Sequence, residues 1–174
     1  PATVTCTFTP ASVTPAANGS VTSSLAVNTT TVTPAGNYAL TVTGTSGSLT
    51  HSVALNLTVT DFNVGVSPAS GTAVVGGSTT STVTVNSLNG FTSGVTLTCA
   101  PSSVNITCSF SATPITPVAN GSATSTMTVV ATASAVTGSY TVTVTGTGGG
   151  QARSAVYTLV VNNFSMSVNP VSTT

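Results

Sequence analysis

The sequence predicts an all-β protein built from repeated two-sheet sandwiches, and three observations lead there. Apolar residues alternate with Thr or Ser over many short runs, the period of a half-buried strand. Gly, Pro and Asn punctuate those runs at short intervals, as turns between antiparallel strands require. The chain also repeats itself. Shifted by 102 residues, Thr5-Cys6-Thr7-Phe8 falls on Thr107-Cys108-Ser109-Phe110, and Ala17-Asn18-Gly19-Ser20 falls on Ala119-Asn120-Gly121-Ser122. Thr41-Val42-Thr43-Gly44-Thr45 likewise falls on Thr143-Val144-Thr145-Gly146-Thr147. The match needs no gap from residue 1 to residue 72, and about 29 of those 72 pairs are identical.

A period near 100 residues is the size of an immunoglobulin-like sandwich and exceeds that of short solenoid repeats. The expected organisation is tandem immunoglobulin-like two-sheet β-sandwiches. Residues 1–61 are the C-terminal part of a first repeat, 62–162 a complete second repeat, and 163–174 the first strand of a third. The chain then reads as a window cut from a longer tandem array.

Parity assigns the strands of the complete repeat. Val83 and Val85 share one face, as do Val95, Leu97 and Cys99, then Val104, Ile106, Cys108 and Phe110. Met127 and Val129 follow, then Tyr140, Val142 and Val144, then Ala155, Tyr157, Leu159 and Val161. Thr fills most opposite positions, where its β-branch suits an exposed pleat. Turns are expected at Pro68–Gly71, Gly76-Gly77, Asn89-Gly90, Asn120-Gly121 and Gly148–Gly150. No stretch carries a helical stripe. Gly36-Asn37-Tyr38 and Gly138-Ser139-Tyr140 each precede a very regular strand. Tyr38 and Tyr140 fit a tyrosine corner, in which the hydroxyl bonds back to upstream backbone; a plain core Tyr is compatible with the same placement.

Composition narrows the function. The chain holds one Arg, one Asp and one His, with no Lys or Glu, where a globular protein carries about a quarter charged residues. Serine and threonine fill the deficit, at about 64 of 174 residues. With 40% apolar residues in strict alternation, the chain is nonetheless a folding sequence. There is no basic footprint for nucleic acid and no polybasic or long apolar stretch for a membrane. General acid–base catalysis needs a positioned acid or base, and glycoside hydrolysis usually needs two carboxylates. Asp61 stands alone in sequence, and His51 has Arg153 as its counterpart in the next repeat, the mark of an exposed strand residue. No catalytic residue, cofactor or metal is expected. A calcium-stiffened junction needs several carboxylates, which Asp61 alone does not supply.

Cys99 and Cys108 both point inward by parity, with the six residues Ala100 to Asn105 in which to turn. They read as a disulfide, with two buried thiols as the other reading, and a disulfide implies an oxidising compartment. Cys6 is the counterpart of Cys108; the counterpart of Cys99 would lie ahead of Pro1, so Cys6 is expected to pair upstream of this segment. Six Asn-x-Ser/Thr sequons occur, at Asn18, Asn28, Asn56, Asn105, Asn120 and Asn163. Asn56 and Asn105 have outward parity, and Asn18 and Asn120 sit on Asn-Gly turns, all accessible to a glycan. A chain this rich in Asn, Ser and Thr also makes sequons by chance.

The segments Asp61–Pro68, Gly90-Phe91, Thr98-Cys99, Thr107–Phe110 and Gly138–Thr147 resemble the Ser/Thr-rich immunoglobulin-like tandem repeats of large bacterial extracellular and surface proteins. The resemblance covers essentially the whole chain. It implies a structural part of a fibre, stalk or spacer, with copies of itself or adjoining repeats as partners and glycans as possible covalent attachments. The alternative from another class is an adhesin or carbohydrate-binding accessory module. Sugar sites usually present exposed aromatic rings, and this chain has no Trp, while its Tyr and Phe read mostly as core. Strand donation between chains is a tempting mode of assembly, because 163–174 repeats the first strand Asp61–Thr72. Joining that tail to residues 1–62 still omits the equivalent of 73–102, with two central strands, so a covalently continuous array is expected instead.

Overall fold

The computed structural model describes residues 3–168 and is all-β, with no helix among them. The chain divides between Val59 and Thr60 into two units.

The first unit holds four strands in two antiparallel pairs. β1 (Val4–Thr9) pairs with β2 (Ser24–Thr29), and β3 (Gly36–Ser46) with β4 (Leu49–Val59). The second unit holds β5 (Asp61–Ser67), β6 (Ser70–Val74), β7 (Ser78–Leu88), β8 (Thr96–Pro101), β9 (Ile106–Phe110), β10 (Ser122–Ala131), β11 (Gly138–Gly148) and β12 (Gln151–Asn162). They form two four-stranded sheets, in the orders β5-β7-β10-β9 and β6-β12-β11-β8. All pairs are antiparallel except β6 with β12.

Alternation explains these strands. In β7 the inward set is Ser81, Val83, Val85 and Ser87; in β10 it is Ser125, Met127, Val129 and Ala131. With Phe62, Val95, Leu97, Ile106, Val142, Val144, Tyr157, Leu159 and Val161 they make one core between the sheets. The buried serines are satisfied: the Ser81 hydroxyl donates to the Pro68 carbonyl at 2.6 Å, and the Ser87 hydroxyl accepts from the Asn120 amide at 2.9 Å.

The structure corrects three local expectations. Asp61–Thr72 is not one strand. It breaks into β5 and β6, which lie in opposite sheets, at a Pro that cannot donate to a ladder. Val104 is not inward but 94% exposed, and Asn105 is half-buried in a turn instead of on an outward strand face. Between β8 and β9 the chain crosses from one sheet to the other, so strand parity does not carry across the turn. Asn163–Val168 form no strand, and the remainder of the expected strand, 169–174, lies outside the described residues.

Geometry recurs between the units at the sequence offset. Cys6 is registered with Val27 as Cys108 is with Val129, and Gly36 with Val59 as Gly138 is with Val161. Thr43 and Ser52 hydroxyls share a hydrogen bond of 2.8 Å, and Thr145 and Ser154 one of 2.9 Å. Asn18 and Asn120 both take left-handed backbone angles, φ 57 and 56°. Burial does not recur. Leu25, Val27, Leu40, Val42, Leu55 and Leu57 are only half-buried, whereas their counterparts Met127, Val129, Val142, Val144, Tyr157 and Leu159 are fully buried.

Tyr157 is the largest fully buried side chain, and its hydroxyl has no hydrogen-bond partner. Gly71 makes room for it: an added Cβ there would lie within contact of that hydroxyl and 2.9 Å from Thr79 Oγ1. Removing a buried, unpartnered hydroxyl relieves a desolvation cost. Tyr157→Phe is therefore expected to leave stability unchanged or raise it by about 1–2 kcal/mol. Urea unfolding tests this, and a loss of stability would mean the hydroxyl has a partner.

Candidate functional site

A covalent bridge and several hydrogen bonds tie β8 and β9, the edge strands of opposite sheets, and the segments beside them. Cys99 on β8 and Cys108 on β9 are joined by a disulfide, with Cα atoms 6.4 Å apart. Two residues along β8, the Leu97 amide donates to Thr113 Oγ1 at 2.7 Å. Next, Val95 and Ile115 exchange backbone hydrogen bonds of 2.8 and 3.0 Å. Parity aims the cysteines inward, and the short turn brings them together. These ties hold two sheets together without any charged group. In the first unit Cys6 is a free, exposed cysteine on β1.

Tyr140, at the start of β11, donates its hydroxyl to the Val136 carbonyl at 2.8 Å, and Tyr38 donates to the Pro34 carbonyl at the same distance. Each bond ties a strand to the loop four residues upstream. Tyr140→Phe is expected to cost about 0.5–1.5 kcal/mol, the worth of one net hydrogen bond. Thermal unfolding checks it; a variant as stable as the parent would show that the contact contributes nothing.

The sequon asparagines fall in different settings. Asn28 on β2 and Asn56 on β4 are exposed, as are Asn18, Asn120 and Asn163 in irregular segments. Asn120 Oδ1 accepts from the Gly90 amide at 2.8 Å, and Asn163 Oδ1 from the Phe164 amide at 2.9 Å. Asn105 is half-buried and built into its turn, where its amide donates to Ser103 Oγ at 3.2 Å and its carbonyl accepts from the Thr132 amide at 2.9 Å.

One pairing was not expected from sequence. Asp61 at the start of β5 and Arg153 on β12 form an ion pair at 2.5 Å, so Arg153 is not merely an exposed strand residue. Ninety-two residues separate them, and only the fold brings them together. Asp61 Oδ1 also accepts from the Phe62 amide at 2.7 Å, fixing the entry to β5. His51 is exposed on β4. Among the described residues no group of three or more His, Cys, Asp or Glu could hold a metal ion, and no helix is long and apolar enough to cross a membrane.

The Phe rings fall into two settings. Phe62 and Phe91 are buried with centroids 5.0 Å apart, and Phe110 packs on the core. Phe8 and Phe164 are 41% and 76% exposed, whereas their counterparts 102 residues away are Phe110, half-buried against the core, and Phe62, fully buried in it.

No family model and no curated protein matches the chain. Among solved structures it is similar to a family 123 glycoside hydrolase from Clostridium perfringens, at 15% identity and a TM-score of 0.46 over 62% of this chain and 28% of that one. It is also similar to the surface-layer protein SbsC. Domains 4 and 5 match at 20% identity and a TM-score of 0.43, over 80% of this chain and 63% of that one. Domains 1–6 match at 20% identity and 0.44, over 97% of this chain and 21% of that one. The chain thus spans less than two thirds of each. At these scores the likeness assigns neither family nor activity.

Proposed function

We propose that the chain is a structural, non-enzymatic segment of an extracellular fibre, stalk or surface-protein array made of tandem immunoglobulin-like domains. One observation carries this reading: strand pairs, registers and side-chain hydrogen bonds recur at an offset of 102 residues within one chain. Residues 1–61 are then the C-terminal part of a first repeat, 62–162 a complete second, and 163–174 the sequence counterpart of Asp61–Thr72 at the start of a third. The strand orders support the immunoglobulin-like assignment. β5-β7-β10-β9 follows the A-B-E-D sheet, and β12-β11-β8 the G-F-C sheet, with the split first strand adding β6 beside β12. The chemistry is that of a spacer: cores of Val, Leu and Phe, a Thr-rich outside, and a disulfide for an oxidising compartment. Glycans on exposed Asn18, Asn28, Asn56, Asn120 or Asn163 would keep a nearly uncharged surface soluble.

The test is where the protein sits. Antibodies to residues 60–168 should label intact source cells or their shed fibres, and electron microscopy should show elongated or sheet-like material. Labelling only after cells are opened would overturn the reading. Saturable binding of the isolated chain to a defined glycan would favour the adhesin or carbohydrate-binding module instead.

A further inference from the structure

Gly146 on β11 is a glycine for a visible reason. An added Cβ would sit 2.8 Å from Val95 Cγ1, 2.9 Å from Val64 Cγ2 and 3.3 Å from Phe62 Cε2. These three residues come from β5 and from the segment entering β8. Gly44 holds the counterpart position on β3, and an added Cβ there meets nothing within 4 Å. Glycine inside a strand weakens it, and often marks close approach by other atoms. In the first unit those atoms are not supplied by the unit itself.

Other features of the same face agree. A hollow of about 350 Å³ in the first unit is lined by Phe8, Val13, Val21, Val42 and Gly44, among others. Their counterparts Phe110, Ile115, Ala123, Val144 and Gly146 face the core of the second unit, where Ile115 bonds to Val95. Cys6 is free, and its counterpart Cys108 is bonded to Cys99 on β8. The half-buried Leu25, Val27, Leu40 and Leu57 complete the pattern. The groups that crowd Gly146, bond to Ile115 and bridge to Cys108 in the second unit all belong to β5, β8 or the segment entering β8.

We infer that the open face of the first unit, centred on Gly44 and Cys6, is the acceptor for a segment of the β5–β8 kind, as β5–β8 completes the second unit. That segment supplies apolar residues at the positions of Phe62, Val64 and Val95, and a cysteine at the position of Cys99. It extends the β1–β2 pair along β2 and the β3–β4 pair along both edges, as in the second unit. Its cysteine then bonds to Cys6: two thiols lose two protons and two electrons, and a disulfide oxidant such as oxidised glutathione is reduced to two thiols. The inference rests on reading residues 1–61 as part of a repeat, and adds which segment completes it and which atoms select that segment.

The experiment extends the chain by joining a second copy of residues 61–102 directly ahead of Pro1, which the offset makes continuous with residue 1. Refolding is carried out in a glutathione redox buffer. Cys6 should stop reacting with a thiol reagent, and peptide mapping should find it bonded to the copied Cys99. Amides of β2 and β3 should exchange as slowly as those of β10 and β11. Gly44→Ala should be silent in the unextended chain, yet speed exchange of those amides about tenfold or more in the extended one, the expected scale of overpacking. The inference is overturned if Cys6 stays reactive, if β2 and β3 exchange unchanged, or if Gly44→Ala acts alike in both chains. A Cys6–Cys6 dimer of the unextended chain with the same amides protected would also overturn it, making a second copy the occupant. Cell-surface labelling is unaffected by any of these outcomes, so failure here leaves the structural role standing.

Discussion

Phe62→Ala is expected to lower the stability of the second unit by about 3–5 kcal/mol, the usual cost of deleting a buried phenyl ring. The ring is fully buried, lies 5.0 Å from Phe91 and bears on the face of Gly146. A cavity there cannot collapse easily, because Gly146 and Gly148 are already crowded by Val95. The same substitution at Phe164, which is 76% exposed, should change stability by no more than about 0.5 kcal/mol. Hydrogen exchange of β10–β12 amides during urea unfolding reports on this unit alone. Equal effects at the two positions would show that the burial difference has no energetic meaning, and the packing account of the second unit would fail. The contrast is informative because the two residues occupy equivalent sequence positions. What separates them is burial.

The same contrast explains what was legible in the sequence. Alternation placed β7, β10, β11 and β12 and their inward residues, because each of those strands packs one face on a core and so keeps a strict period of two. The inward aim of Cys99 and Cys108 follows from that same parity. Where the chain leaves a sheet, parity loses its force. Val104 and Asn105 lie in a sheet-to-sheet turn, and Pro68 lies where one expected strand becomes two, so their orientation depends on three-dimensional closure and not on periodicity. Buried Ser81, Ser87 and Ser125 look like surface residues in a Ser-rich chain; only their backbone partners, far away in sequence, make them core residues. The Asp61–Arg153 pair is invisible for the same reason. Each residue alone suggests a stray surface charge, and the pairing is created by β5 and β12 meeting across the sandwich. The pair is partly buried, and with the Asp61 bond to the Phe62 amide it orients the start of β5.

Replacing both Cys99 and Cys108 by alanine should lower the stability of the second unit by about 2–3 kcal/mol. That is the chain-entropy estimate for a loop this short, the two residues being 9 apart. The fold itself should survive. The backbone exchange between Val95 and Ile115 and the Leu97–Thr113 bond hold the same edge, and the apolar core between the sheets is complete without the sulfurs. Reductant offers an independent check, since it should destabilise the parent chain by a similar amount and leave the double variant unmoved. Parent stability that is insensitive to reductant would mean that the bridge contributes nothing to this edge. Complete unfolding of the double variant would mean the opposite error, that the core between the sheets is too weak to stand without a covalent tie. A single Cys99→Ala variant separates chain entropy from packing. It loses the bridge but keeps the Cys108 thiol, a good small apolar group, in its half-buried place on β9. If constraint of the unfolded chain dominates, the single and double variants are equally destabilised. If packing of the sulfur dominates, the single variant loses less than the double.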